Sequence, residues 1–214
     1  MTLPASTIVL TLAALAGAAL AAWSEAAKRR RVHLAAKPLA TALIIAIAAL
    51  APAPVPPVYK TLVLAGLLFS LVGDIALMFP DKLFTAGLAA FLAAQVLYIL
   101  AFRPLPGHSL SLGTALPFML YGLLMFFILA PQLGPLKIPV FVYIAAITLM
   151  AAFAAGRYIA IGGTKPMLAF AGAILFLVSD SVLAYDRFAR KIGPARILVL
   201  GTYFPAQLLI ALSV

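Results

Sequence analysis

The chain has 214 residues, 66% of them hydrophobic and only 9% charged, with a formal net charge of +10 and a mean hydropathy of +1.20. Soluble domains are about 45–50% apolar and about 25% charged, so a soluble enzyme or a secreted domain is excluded. With no cysteine in the chain, disulfides, thiolate zinc sites, iron–sulfur clusters and a cysteine nucleophile are excluded as well.

A bilayer core takes about 20 apolar residues per helix. Eight such runs follow one another, at 4–23, 37–52, 58–79, 83–102, 111–130, 137–156, 165–185 and 195–213. Alternating segments of about ten residues, the mark of a membrane β-barrel, do not occur. The expected fold is therefore all-α: a polytopic membrane protein of eight transmembrane helices, in a single domain over 1–214.

The first run lacks a basic start and precedes Lys28, Arg29, Arg30 and Arg31. It reads as a retained helix rather than a cleaved signal. Trp23 and Tyr59 read as interfacial anchors, and His33 and His108 as loop residues on opposite sides of the membrane. Lys37-Pro38 opens the second run. Asp74 lies in the third, Gln95 and Tyr98 in the fourth, Asp180 in the seventh, and Tyr203 and Gln207 in the eighth. Asp81 and Asp186 sit at loop edges beside Lys82 and Arg187, where ordinary ion pairs are expected.

Eleven Lys and Arg residues fall on one side of this topology: Lys28 to Arg31, Lys37, Lys82, Lys137, Arg187, Arg190, Lys191 and Arg196. Only Lys60, Arg103, Arg157 and Lys165 fall on the other. The richer side is expected to be cytoplasmic, with both termini outside. Topology and anionic headgroups thus absorb the excess charge, and a nucleic-acid partner is not expected.

Two segments repeat. LAGLLFSLVGDIALMF (64–79) and FAGAILFLVSDSVLAY (170–185) match at Ala65/Ala171, Gly66/Gly172, Leu71/Leu177, Val72/Val178, Asp74/Asp180 and Leu77/Leu183. Ala94-Gln95 recurs as Ala206-Gln207, and Lys37-Pro38 is echoed by Lys137 and Pro139. The pattern predicts a 4+4 parallel internal repeat, with halves of about 1–106 and 107–214 related by an axis along the membrane normal.

The aspartates carry the strongest chemical signal. A charged carboxylate at the bilayer centre costs about 2.5–3.5 kcal/mol on insertion scales. Asp74 and Asp180 are each five residues from the end of their repeat segment, about 8 Å inside it. Gly66, Ser70 and Asp74 share one helix face, whose small residues permit close helix approach. Two acids at equal depth form a candidate catalytic pair, in which burial and mutual repulsion favour retention of a proton. Alternatively, each is a structural hydrogen-bond partner, for example of Ser70, Ser179 or Tyr203. Gln95, Tyr98, Tyr203 and Gln207 are candidates to orient a substrate or a water, or to bond between helices. Lys37 is placed to meet a lipid phosphate or to snorkel. No His cluster, Gly-rich phosphate loop or GxSxG motif is present, and no metal or cofactor is called for.

KPLATALI, GLLFSLVGDIALMFP, GLAAFLAAQVLYILAF, AILFLVSDSVLAYDRF and LVLGTYFPAQLLI resemble, in that order, the signature segments of the YhhN-like lysoplasmalogenase family. At one position the pattern departs: Gln95 stands where many members carry His. The resemblance implies an integral membrane hydrolase, in a bacterial inner membrane, that cleaves the vinyl ether of lysoplasmalogen-like lysophospholipids. The products are a fatty aldehyde and a glycerophospho-alcohol. A vinyl ether breaks down when its alkene carbon is protonated and water captures the oxocarbenium ion. One of Asp74 and Asp180 would act as acid and the other would stabilise the cation, a division also used by glycosidases. Lys37, Gln95, Tyr98, Tyr203 and Gln207 would then bind the substrate. Lysophospholipid and membrane lipids are the expected partners, and a homo-oligomer is compatible with this reading. A proton-coupled transporter or lipid carrier would place membrane acids at a repeat interface in the same way.

Overall fold

The computed structural model describes residues 4–52, 55–103 and 109–214. Among them are eight helices and no strand: α1 (Ala5–Ala26), α2 (Arg30–Leu50), α3 (Pro57–Leu77), α4 (Pro80–Phe102), α5 (Leu112–Leu129), α6 (Lys137–Ile161), α7 (Thr164–Ala184) and α8 (Ala195–Leu212). Each is apolar and long enough to cross a bilayer, α5 with the turn that follows it. In hydrocarbon the backbone must satisfy its own hydrogen bonds, so apolar runs of this length become helices.

The first two helices extend beyond their apolar runs into the polar flanks. The second helix begins at Arg30, seven residues before the apolar run, so His33 is helical and not in a loop. Its ring nitrogen lies 3.0 Å from the carbonyl of Ala21 and 3.7 Å from Glu25. Only Ala27 to Arg29 separate α1 from α2, and Lys28 takes a φ of +55° in that turn. His108 lies outside the described residues. Gly162 and Gly163, at φ +68° and +81°, join α6 to α7 in two residues. Glycine adopts that backbone without a Cβ penalty.

Consecutive helices pack as antiparallel pairs, α1 on α2, α3 on α4, α5 on α6 and α7 on α8. Lipid tails are as apolar as leucine, so close approach rather than hydrophobicity drives this packing. In α1 the buried Thr7, Ala14 and Ala21 recur every seventh residue, a narrow small-residue seam. A Cβ on Gly66 would lie 2.4 Å from the Tyr98 ring of α4, and one on Gly172 would lie 2.8 Å from the Ala206 carbonyl of α8.

The pairs join through α2 on α3, α6 on α7, α4 on α6 and α2 on α8. α8 also packs on α1, whereas α4 makes no comparable contact with α5. Only Gly122 and Leu129 of α5 are buried. α5 therefore leans on α6 and leaves a gap beside α4.

Candidate active site

Asp74 is held from three sides. α2 brings Lys37, whose Nζ lies 3.2 Å from Oδ1, and Thr41, whose hydroxyl donates to Oδ2 at 2.6 Å. From α8 the Tyr203 hydroxyl donates to the same oxygen at 2.7 Å. Lys37 and Thr41 are one helical turn apart and so share a face. The sequence reading had Lys37 facing a lipid phosphate or snorkelling. The lysine is instead buried, and its charge is taken up by Asp74.

Asp180 has a different set of neighbours. Tyr143 of α6 donates to Oδ2 at 2.5 Å, and Gln95 Nε2 of α4 donates to the same oxygen at 3.3 Å. No Lys or Arg lies within ion-pair distance among the described residues. Both bonds fall on Oδ2, and Oδ1 accepts none from the described residues. The two aspartates share no hydrogen-bond partner. Each is nonetheless held by the preceding helix and by one distant along the chain, α8 for Asp74 and α4 for Asp180.

A narrow cleft with a cavity volume of about 50 Å³ reaches Asp180. Its walls are Phe84, Leu88 and Phe91 of α4, Tyr121, Met125 and Leu129 of α5, Tyr143 and Ile147 of α6, and Leu177 of α7, among others. Asp180 is its only acidic or basic lining residue among the described residues. Asp74 does not line it. Phe91 lines the cleft and packs edge-on against Tyr203, with ring centroids 5.7 Å apart, so an aromatic wall separates the cleft from the Asp74 cluster. Residues of α4 and α5 both wall the cleft.

The remaining polar residues lie around these two centres. The Tyr98 hydroxyl donates to Gln207 Oε1 at 2.9 Å, and neither residue lines the cleft. Gln95 Oε1, Gln207 Nε2 and Ser70 Oγ are buried without a protein partner. Of the two glutamines expected at the site, Gln95 contacts Asp180 and Gln207 contacts Tyr98. Tyr143, Tyr121, Ser181 and Thr41 did not stand out in the sequence, because a single hydroxyl in an apolar run carries no periodic signal. Tyr121 donates to Ser181 at 2.7 Å inside the cleft. A Tyr on span six, in the span before the second Asp, was the only available hint.

Three smaller expectations change. Tyr59 is not an interfacial anchor but is buried, with its hydroxyl 2.7 Å from Ser213 Oγ. Asp186 pairs with Lys191 at 3.1 Å, not with Arg187. Asp81 forms no ion pair among the described residues. No group of three or more His, Cys, Asp or Glu that could hold a metal occurs among the described residues.

The profile of the YhhN family matches residues 32–214. Lysoplasmalogenase TMEM86B of Sus scrofa is 40% identical over 160 residues, which is 73% of this chain and 64% of that protein. Lysoplasmalogenase TMEM86B of Homo sapiens is 37% identical over 163 residues, 72% of this chain and 64% of that protein. The match therefore spans slightly less than two thirds of the length of these relatives. The membrane protein YhhN of Escherichia coli O157:H7 is 29% identical over 178 residues, 83% of this chain and 84% of that one. No solved structure matches the chain. The chain is an integral membrane protein and belongs to the YhhN family.

Proposed function

We propose that this YhhN-family chain is a lysoplasmalogenase-type hydrolase that cleaves the vinyl ether of a single-chain alkenyl phospholipid, with Asp180 as its acid. One observation carries the reading: a narrow apolar cleft among α4, α5, α6 and α7 has Asp180 as its sole acidic lining residue among the described residues. The names of the mammalian relatives support the substrate class.

Vinyl ethers resist base and yield to acid. Burying an uncompensated carboxylate in apolar surroundings is costly, and Asp180 has no cation to compensate it. In this reading it enters the reaction as the neutral acid. Its proton goes to the alkene carbon one removed from oxygen, and the π electrons form the new C–H bond. The adjacent carbon becomes an oxocarbenium ion, which the Asp180 carboxylate stabilises. Water adds to that carbon and returns a proton to the carboxylate. The resulting hemiacetal collapses to fatty aldehyde and glycerophospho-alcohol, so the net change is the addition of one water. Positioned general acid–base groups are worth about 10²–10⁴-fold.

Gln95 has a defined part in this scheme. Its Nε2 donates to Asp180, which turns its partnerless Oε1 into an acceptor for the incoming water. Tyr143 holds the acid's Oδ2 so that Oδ1 points at substrate. Asp74, neutralised by Lys37, locks α2, α3 and α8 together and positions rather than reacts. The same reading takes the chain as two four-helix units and sets its basic end towards the cytoplasm, in a bacterial inner membrane with both termini outside.

Purified protein in lipid nanodiscs, supplied with 1-alkenyl-lysophosphoethanolamine, is expected to release aldehyde without any ion gradient. In D₂O the aldehyde should carry one deuterium on the carbon next to the carbonyl. Asp180→Asn, which still accepts from Tyr143 and Gln95, should lose at least about 10²-fold in kcat. Unchanged lipid, or aldehyde lacking the deuterium, would refute the acid mechanism.

A further inference from the structure

We propose that Arg187 is the phosphate-binding residue at the mouth of the cleft, and that it selects a single-chain lipid with an anionic phosphodiester head. This deepens the proposed function, because it rests on the cleft being the lipid's site.

The local backbone is unusual. α7 ends in a π-helical turn, Tyr185–Ala189, in which the amide of Arg190 bonds to the carbonyl of Tyr185 at 3.0 Å. Such turns insert an extra residue and are frequent at functional sites. Here the turn directs Phe188 into the cleft while Arg187 remains exposed. The Arg187 guanidinium lies 4.8 Å over the ring of Phe84. Phe84 and Phe188 meet edge to face at 5.9 Å, and both line the cleft. Arg187 is thereby held against the aromatic rim.

Its charge is uncommitted. Lys37, Lys191 and Arg196 are paired with Asp74, Asp186 and Glu25 respectively. Arg187 makes no ion pair among the described residues and has an aromatic ring in place of a carboxylate. A cation–π contact leaves the N–H donors of a guanidinium without an acceptor, and that planar fork matches two phosphate oxygens. A lysine at this place could offer only a point charge.

The depth also fits. Arg187 is seven residues beyond Asp180, or about 10 Å along the helix axis. Helical side chains lean towards the N-terminus, so the guanidinium reaches back towards the acid. In a 1-alkenyl lysophospholipid six covalent bonds of about 1.5 Å separate phosphorus from the first alkenyl carbon, a contour of roughly 9 Å. With phosphate on Arg187, the vinyl ether lies level with Asp180. The remaining chain leaves between α4 and α5 into lipid.

Binding separates this proposal from the proposed reaction. The probe is 1-alkyl-lysophosphocholine, whose saturated ether cannot be cleaved, with 1-alkylglycerol as the counterpart lacking phosphate. Arg187→Gln should weaken binding of the phospholipid about tenfold or more and leave alkylglycerol binding unchanged. Arg187→Lys should restore only part of it. Equal weakening of both ligands would make Arg187 a packing residue and overturn the proposal, as would no change in either. Displacement of the alkyl phospholipid by glycerophosphocholine alone, at matched concentration, would show an anion site indifferent to the chain and also overturn it. If wild-type protein binds these ligands as expected but releases no aldehyde from the alkenyl lipid, the reaction fails while the phosphate site stands.

Discussion

Lys37 Nζ and Asp74 Oδ1 are 3.2 Å apart between α2 and α3, and the two residues are only 8% and 1% exposed. Thr41 and Tyr203 complete the shell of Asp74, so neither charge is left facing hydrocarbon. Breaking a buried pair by removing one partner costs about 3–5 kcal/mol, whereas replacing both with apolar groups can be neutral or stabilising.

Lys37→Met alone should therefore destabilise the bundle strongly, and Lys37→Met with Asp74→Leu should recover much of the loss. Unfolding in mixed micelles, run as a double-mutant cycle, reads the coupling. Additive losses would mean that the pair is not a unit.

Tyr143→Phe removes the hydroxyl that holds Asp180 at 2.5 Å and keeps the ring in the cleft wall. The expected outcome is a kcat lower by about tenfold, in line with loss of one hydrogen bond to the carboxylate that develops as Asp180 gives up its proton. KM should change little, because the hydroxyl positions the acid and not the chain. Steady-state aldehyde release measures both; a pure KM effect would assign Tyr143 to substrate binding.

Leu88 is half-buried and lines the cleft without touching either aspartate cluster by hydrogen bond. Leu88→Trp should fill the chain space, so that turnover of long-chain substrate collapses while short-chain substrate is still cleaved. Melting temperature should be close to that of the parent. Equal loss for both chain lengths would indicate that the chain lies elsewhere.

Gly172 and Gly66 test the helix seams. A Cβ on Gly172 meets backbone, the Ala206 carbonyl at 2.8 Å and the Ile210 nitrogen at 3.1 Å. No side-chain rotation relieves that contact, so Gly172→Ala should cost about 1–3 kcal/mol as overpacking. Gly66→Ala meets the Tyr98 ring at 2.4 Å, but that ring is stacked on Phe102 and bonded to Gln207, so it should also destabilise. Thermal unfolding ranks the two, and a neutral Gly172→Ala would show that α7 and α8 can part freely.

Eight helices, their order and the two membrane aspartates were legible in the chain itself. Apolar runs of about 20 residues admit one backbone solution in lipid, and a carboxylate inside such a run is too costly to be incidental. Helix starts were less legible where polar residues continue a helix beyond its apolar stretch, as Arg30 and His33 do. Contacts across helices were not legible at all. One-dimensional spacing gives Asp74 and Asp180 the same surroundings, since their segments repeat. Only packing distinguishes them: α2 turns Lys37 inward onto Asp74, α6 brings the neutral Tyr143 to Asp180, and α5 stands away from α4 so that a cleft reaches one acid and not the other. Sequence determines which side chains must leave lipid, because that cost is set by each residue's own chemistry. Which partners receive them depends on helices distant along the chain, and that is decided by tertiary packing.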